Sequence, residues 1–117
     1  MREHSRIVFR SIFRIKVNDR RNDRLIGYVG DISEHGLKLL GDAPVEVGSE
    51  LQLRLRMRNH DGQMRYAEVD VVCLWSRENP QTGYFEAGLK LQCPSVPFSE
   101  LVRELRERRA ARANLPS

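Results

Sequence analysis

Hydrophobic and polar residues alternate along most of this chain, and alternation with a period of two predicts strands. Phe9, Phe13, Ile15 and Val17 fall at odd positions with Arg10, Arg14 and Lys16 between them, and only Ser11 and Ile12 break the pattern. A half-buried strand is expected over residues 8–17. The polar run at 18–23 reads as a turn. Residues 25–29 read as a short second strand, loosened by Gly27 and Gly30. Asp31-Ile32-Ser33-Glu34-His35-Gly36 reads as a turn-like interruption before extended structure resumes at 37–40.

Pro44 and Gly48 mark residues 41–50 as a loop. Leu51, Leu53, Leu55 and Met57 then alternate with Gln52, Arg54, Arg56 and Arg58, the cleanest strand in the chain. Asn59-His60-Asp61-Gly62 is a hairpin loop in which glycine supplies a positive φ. Ala67, Val69, Val71, Cys73 and Trp75 are expected on the inner face of a long strand. A turn at 78–83 leads to a last strand with Phe85, Ala87, Leu89 and Leu91 inward. After Pro94 the period changes. Phe98, Leu101, Val102 and Leu105 form one helical stripe, Ser95 or Ser99 can cap it, and Pro97 suits its first turn.

The sum is an all-β protein: six antiparallel strands and one terminal helix. A sheet this short removes its exposed edges by closing, so a small six-stranded antiparallel β-barrel is expected, with the helix over one opening or side. One domain covers residues 1–117, as an Arg-rich arm at 1–8, a barrel at 8–92 and a helix at 95–112. Residues 113–117 are expected to fray.

Composition narrows the function. The 117 residues are 40% hydrophobic and 31% charged, enough apolar material for a core and too much for a disordered tail. No apolar run reaches the ~20 residues of a membrane span, and the basic start has no apolar signal region, so a cytoplasmic protein without membrane insertion is expected. Cys73 and Cys93 fit neither a disulfide scaffold nor a four-ligand metal site, and free, buried thiols are expected.

The formal charge is +4, and 17 of the 20 basic residues are Arg. Its distribution matters more than its total. Residues 1–25 carry a net +5, residues 26–98 a net −3 and residues 99–117 a net +2. An anionic partner near the N-terminus follows, against the common alternative of a solvated basic surface.

Enzyme signatures fail. His4, His35 and His60 lack metal-ligand spacing, and no nucleophile elbow, phosphate loop or dinucleotide fingerprint is present. Glu68 and Asp70 share a strand face that should be wet, so they read as a solvated pair rather than an acid/base dyad. Cys73 alternates with core residues and reads as a structural thiol. No cofactor or metal is expected.

Two segments stand out. Arg2-Glu3-His4-Ser5-Arg6 is an Arg-x-x-x-Arg just before the first strand, and Asp31, Ser33 and Gly36 make an Asp-x-Ser-x-x-Gly between two strands. Taken alone, the first reads as a charged face and the second as an ordinary Asx or Ser turn. Together, about 25 residues apart on a six-strand pattern, they resemble the PilZ domain, a bacterial receptor for cyclic di-GMP. The Trp75 strand, the Ala87-Gly88-Leu89-Lys90-Leu91 segment and the final helix look like that family too.

The resemblance implies a Greek-key-like barrel of the PilZ type and a non-enzymatic receptor. The ligand would lie on the outer barrel surface, held by Arg2, Arg6, Asp31, Ser33 and Gly36. The chemistry suits it. Arg reads the O6 and N7 acceptors of guanine bidentately, pairs with phosphate and stacks on purines. Asp31 offers an acceptor to a guanine N–H edge, Ser33 a short donor and acceptor, and Gly36 a tight turn and close backbone approach to ligand.

Trp75 fits a structural role on the inner face but can line the ligand site if it sits near the rim. Arg10 can line the site as well, and Arg10 and Arg77 can add positive field, with solvated surface the ordinary reading of both. The position before Arg2 is Met1, where many members carry a further basic residue, and this leaves one or two bound ligand molecules open. Binding should order an otherwise mobile arm and signal to an unidentified protein partner.

Two alternatives remain at this level. One is a PilZ-like adaptor acting by protein contact without nucleotide, which loss of either motif would mark. The other is a small barrel for RNA or single-stranded DNA. A nucleic-acid polymer is not expected, because a stacking platform needs exposed aromatics and only Tyr28, Tyr66 and Tyr84 fall off the inward faces. The Arg54/Arg56/Arg58 face is either an interface or a solvated surface.

Overall fold

The structure, a computed structural model, describes residues 7–8, 15–58 and 61–113. It contains β1 (Ile7–Val8), β2 (Ile15–Asp19), β3 (Arg24–Ser33), β4 (Gly36–Gly41), β5 (Glu50–Arg58), β6 (Met64–Glu78), β7 (Phe85–Leu91) and the helix α1 (Val96–Ala113). Six strands close an antiparallel barrel in the order β3-β2-β5-β6-β7-β4, and β4 returns to β3. The two-residue β1 pairs with the far end of β3.

The alternation read from sequence builds the interior. Val17, Val29, Ile32, Leu53, Leu55 and Val71 are fully enclosed, and Ile15, Leu37, Leu39, Met57, Ala67, Val69, Cys73, Ala87 and Leu89 complete the lining. The α1 stripe Phe98, Leu101, Val102 and Leu105 joins the same core. Ser95 caps the helix: its Oγ accepts from Phe98 N at 3.3 Å and donates to the Glu68 carbonyl on β6 at 3.0 Å. Farther along, Glu104 pairs with Arg65 of β6 at 3.3 Å and Arg106 with Glu34 at 3.2 Å. The helix thus reaches from β6 to the β3–β4 turn. No helix among the described residues is long and apolar enough to cross a membrane.

Several expectations need correction. The first strand is not one ladder over 8–17. Lys16 faces Tyr28, and in that register Val8 would face Gly36, yet it faces Asp31. Residues 9–14 lie outside the described residues. The turn expected at 18–23 is narrower, because β2 runs to Asp19 and β3 begins at Arg24. Asp19 closes it by accepting from Arg21 N at 2.9 Å, and Asp23 takes a φ of 58°. The Arg21 guanidinium beside Asp19 holds its carboxyl below the usual range.

Asp31 and Ser33 are strand residues rather than turn residues. β3 continues through both, and only Glu34 and His35 make the turn, with Ser33 facing Gly36. The alternation about Ile32, which is buried, carries the strand on once Gly30 has been taken up as a bulge.

Trp75 is not on the inner face. The register of β6 against β7 shifts between Cys73 and Trp75, leaving Leu74 as the extra residue. That reverses the alternation and turns Trp75 outward, 38% exposed. Cys93 is exposed, since it follows the end of β7, whereas Cys73 is buried and burial pushes its thiol up. Glu68 and Asp70 are gathered by Arg20, at 3.4 and 2.6 Å, and Arg54 adds a 3.0 Å bond to Glu68. Both carboxylates stay solvated as expected, at 51% and 42% side-chain exposure, within a surface ion network that includes Arg54.

Candidate functional site on the outer barrel face

The outer face of β3, β4, β7 and β6 is built in rows by strand register. One row runs Val8, Asp31, Lys38, Gly88 and Trp75, each residue facing the next on the adjacent strand. A second holds Tyr28, Leu40, Glu86 and Arg77. A third holds Ser33, Gly36, Lys90 and Val72. Strand spacing of ~4.8 Å sets the Asp31 and Trp75 backbones ~14 Å apart along the first row.

Four of the predicted residues are therefore brought onto one face: Asp31, Ser33, Gly36 and Trp75. Arg2, Arg6 and Arg10 lie outside the described residues. The chain next to Arg6 is nevertheless placed, because Ile7 faces Ile32 and Val8 faces Asp31. Strand pairing thus sets Ile7 and Val8, the residues that follow the Arg-x-x-x-Arg segment, beside Ile32 and Asp31 of the second motif.

Asp31 and Ser33 are both nearly buried, at 8% and 5% exposure. Lys38 Nζ stands 3.8 Å from Asp31 Oδ2. Ser33 Oγ accepts a long bond from His35 N at 3.4 Å. Gly36 follows the two-residue turn and also has a role inside the barrel wall. Its backbone φ is not positive, and an added Cβ would run into the Leu89 carbonyl oxygen. The glycine lets β7 approach β4, while Leu91 N donates to the His35 carbonyl at 2.9 Å and ties the turn to the same strand.

Across the face, Trp75 lies over Gly88, whose missing Cβ leaves room for the indole. The Arg77 guanidinium sits 5.6 Å from the centre of the Trp75 ring, at cation–π distance. Arg77 is anchored in turn by Glu86, to which Nε and Nη2 both donate at 3.1 Å, and Asn79 Nδ2 donates to the other carboxylate oxygen at 3.0 Å. Glu86 is only 5% exposed. The Asn79 amide first, then the Arg77 guanidinium and the charge of Lys38, hold its carboxyl below the usual range against the opposing effect of burial.

Sequence reasoning missed Lys38, Glu86 and Gly88. A two-residue turn at 34–35 would have found Lys38, since it sets Lys38 opposite Asp31. That Glu86 meets Arg77 and Gly88 meets Trp75 follows only from the β6 bulge. Among the described residues the face offers three cations, Lys38, Arg77 and Lys90, two carboxylates, Asp31 and Glu86, and one exposed indole. That set can pair with phosphate, accept from a nucleobase N–H edge and stack an aromatic ring. Among the described residues no group of three His, Cys, Asp or Glu side chains can hold a metal ion.

Comparison with known proteins agrees with this architecture. The family model described as the PilZ domain matches residues 1–107. No curated protein matches the sequence. Among solved structures, the Bacillus subtilis inhibitor of motility MotI/DgrA is similar, with a TM-score of 0.74 at 14% identity over 98% of this chain. The match takes in 54% of that protein, so the present chain spans about half its length, and at this identity the likeness shows the fold.

Proposed function

The chain belongs to the PilZ family of cyclic di-GMP receptor domains, and on that premise we propose that it binds cyclic di-GMP on the outer face of β3, β4, β7 and β6. Asp31 accepts from a guanine N–H edge, and Ser33 hydrogen-bonds beside it. Arg2 and Arg6 close over the ligand from the N-terminal side, pairing with phosphate and with guanine O6 and N7. Trp75 gives a stacking surface at the other end of the row. The observation that supports this reading is the pairing of Ile7 with Ile32 and Val8 with Asp31, which brings the residues that follow the Arg-x-x-x-Arg motif beside the Asp-x-Ser motif.

Binding draws the arm onto the face and changes the surface offered to a protein partner. The domain acts in the cytoplasm as a non-enzymatic receptor, and its output is made by that partner. Amide exchange tests the arm directly. With cyclic di-GMP, residues 1–10 and the hairpin about Asp31–Gly36 gain protection. Protection unchanged at residues 1–10 would defeat the switch and favour an adaptor that works by protein contact alone.

A further inference from the structure

The outer face of β2, β5 and β6 divides into two halves that strand register sets side by side. In one half Arg54 faces Glu68 and Gln52 faces Asp70. Its cations are matched, Arg54 to Glu68 at 3.0 Å and Arg20 to Asp70 at 2.6 Å. In the other half a row runs Tyr28, Lys16, Arg56 and Tyr66 across β3, β2, β5 and β6, and the next row sets Arg58 against Met64. Here Lys16 and Arg56 face one another directly, with Arg58 two residues farther along β5. Among the described residues none of these three cations forms an ion pair with a carboxylate. Arg58 Nη1 donates to the neutral Gly62 carbonyl at 2.6 Å. Arg56 Nε is enclosed with no hydrogen-bond acceptor among the described residues. Like charges set directly opposite on adjacent strands are destabilising. The barrel thus carries here a positive charge that its own fold does not use.

We propose that this half of the face, Lys16, Arg56 and Arg58 with Tyr66 and Met64 beside them, docks a protein segment that carries closely spaced carboxylates and an apolar side chain. The partner's carboxylates complete the ion pairs that the fold leaves open, and Lys16 and Arg56 then no longer repel. Tyr, Met and Arg are the residue types enriched at protein interfaces, and Tyr66, 55% exposed, offers the apolar contact. The matched half argues against a nucleic-acid strand. A phosphate backbone follows a continuous cationic groove, and one that ran from Arg56 toward Arg54 would meet the solvated carboxylates of Glu68 and Asp70. Tyr28 joins this surface to the outer face of β3 and β4, since it faces Lys16 on one side and Leu40 on the other. Docking itself does not require cyclic di-GMP.

Amide chemical shifts of the isotope-labelled full chain at low salt test this with three probes: a Glu-rich synthetic peptide with a central Leu, the same peptide with Gln in place of Glu, and oligothymidylate. The Glu peptide should shift the amides of Lys16, Arg56, Arg58 and Tyr66, and the Gln peptide should not. Arg56→Gln should weaken the Glu peptide by about tenfold, the scale of one charged hydrogen bond, and Arg56→Glu should abolish its binding. Arg103→Gln, the same charge change at an exposed position of α1, should leave the affinity as it is. Melting temperatures of the variants separate loss of docking from loss of fold. Lys16→Gln should melt no lower than the wild type at low salt, because it removes one member of a like-charge pair. Shifts that spare this face, equal losses in Arg56→Gln and Arg103→Gln, or a lower melting temperature of Lys16→Gln would overturn the proposal. Tighter binding of oligothymidylate at the same residues would also overturn it and assign the face to single-stranded nucleic acid.

Discussion

Trp75 on β6 faces Gly88 on β7 in register, and its indole occupies the space where a side chain at 88 would begin. The contact fixes the only tryptophan of the chain on the outer face, within reach of Arg77. Gly88→Ala must therefore push the indole off its seat. We expect a loss of about 1–3 kcal/mol, the cost of crowding a packed site, together with a shifted Trp75 emission spectrum. Unchanged emission and unchanged urea midpoint would show that the two residues do not touch.

Trp75 itself is less demanding of the fold, being 38% exposed. Trp75→Ala should leave a folded barrel by far-ultraviolet circular dichroism. It should weaken cyclic di-GMP by about 1–3 kcal/mol, as removal of a base-stacking aromatic does. Equal affinity in the variant would remove Trp75 from the ligand site and leave it as a cover for Gly88.

The helix is bound to the barrel by its apolar stripe. Phe98 is fully enclosed, whereas Val96, at the helix start, is 68% exposed. Phe98→Ala should cost about 3–5 kcal/mol, and Val96→Ala should stay within about 0.5 kcal/mol. Chemical denaturation of both variants checks the contrast. Similar midpoints for the two would mean that α1 does not share the barrel core.

Acid should loosen the outer face about Glu86. Glu86 is held below its usual pKa in the folded protein, chiefly by Asn79 and also by Arg77 and Lys38. A depressed folded pKa contributes stability that is complete above the unfolded value, about pH 4.3. That stability is lost as pH falls through the lower folded value. The melting temperature should therefore drop below about pH 4, and Glu86→Gln should flatten part of the drop. Asp19, held down by Arg21, adds to the same limb. A melting profile identical for wild type and Glu86→Gln between pH 5 and 3 would show that Glu86 carries no such linkage.

Much of the fold was legible because period two and period 3.6 are properties of single elements. Leu53, Leu55 and Met57, the run Ala67 to Cys73, and the stripe from Phe98 to Leu105 all lie inward as their spacing implied. The failures fall at places set by two strands together. The extra residue Leu74 is defined only against β7, and it alone reverses the side on which Trp75 stands. Gly30 does the same in β3 and let a continuous strand read as a turn at Asp31 and Ser33. The motif spacing drew attention to Asp31, Ser33 and Gly36, yet could not tell that a side chain at Gly36 would run into the Leu89 carbonyl. Lys38 and Glu86 drew no notice in the sequence, because their neighbours Asp31 and Arg77 are set only by the register of the adjacent strands.

The central claim is that the two motifs act as one ligand site. Its most direct test is calorimetric titration of cyclic di-GMP into the wild type beside Arg2→Ala and Arg6→Ala. The account predicts binding at micromolar concentration or tighter, a sharp fall in both variants, and a stoichiometry that settles whether one ligand molecule or two are held. No heat at high ligand concentration, or variants that bind as the wild type does, would contradict it.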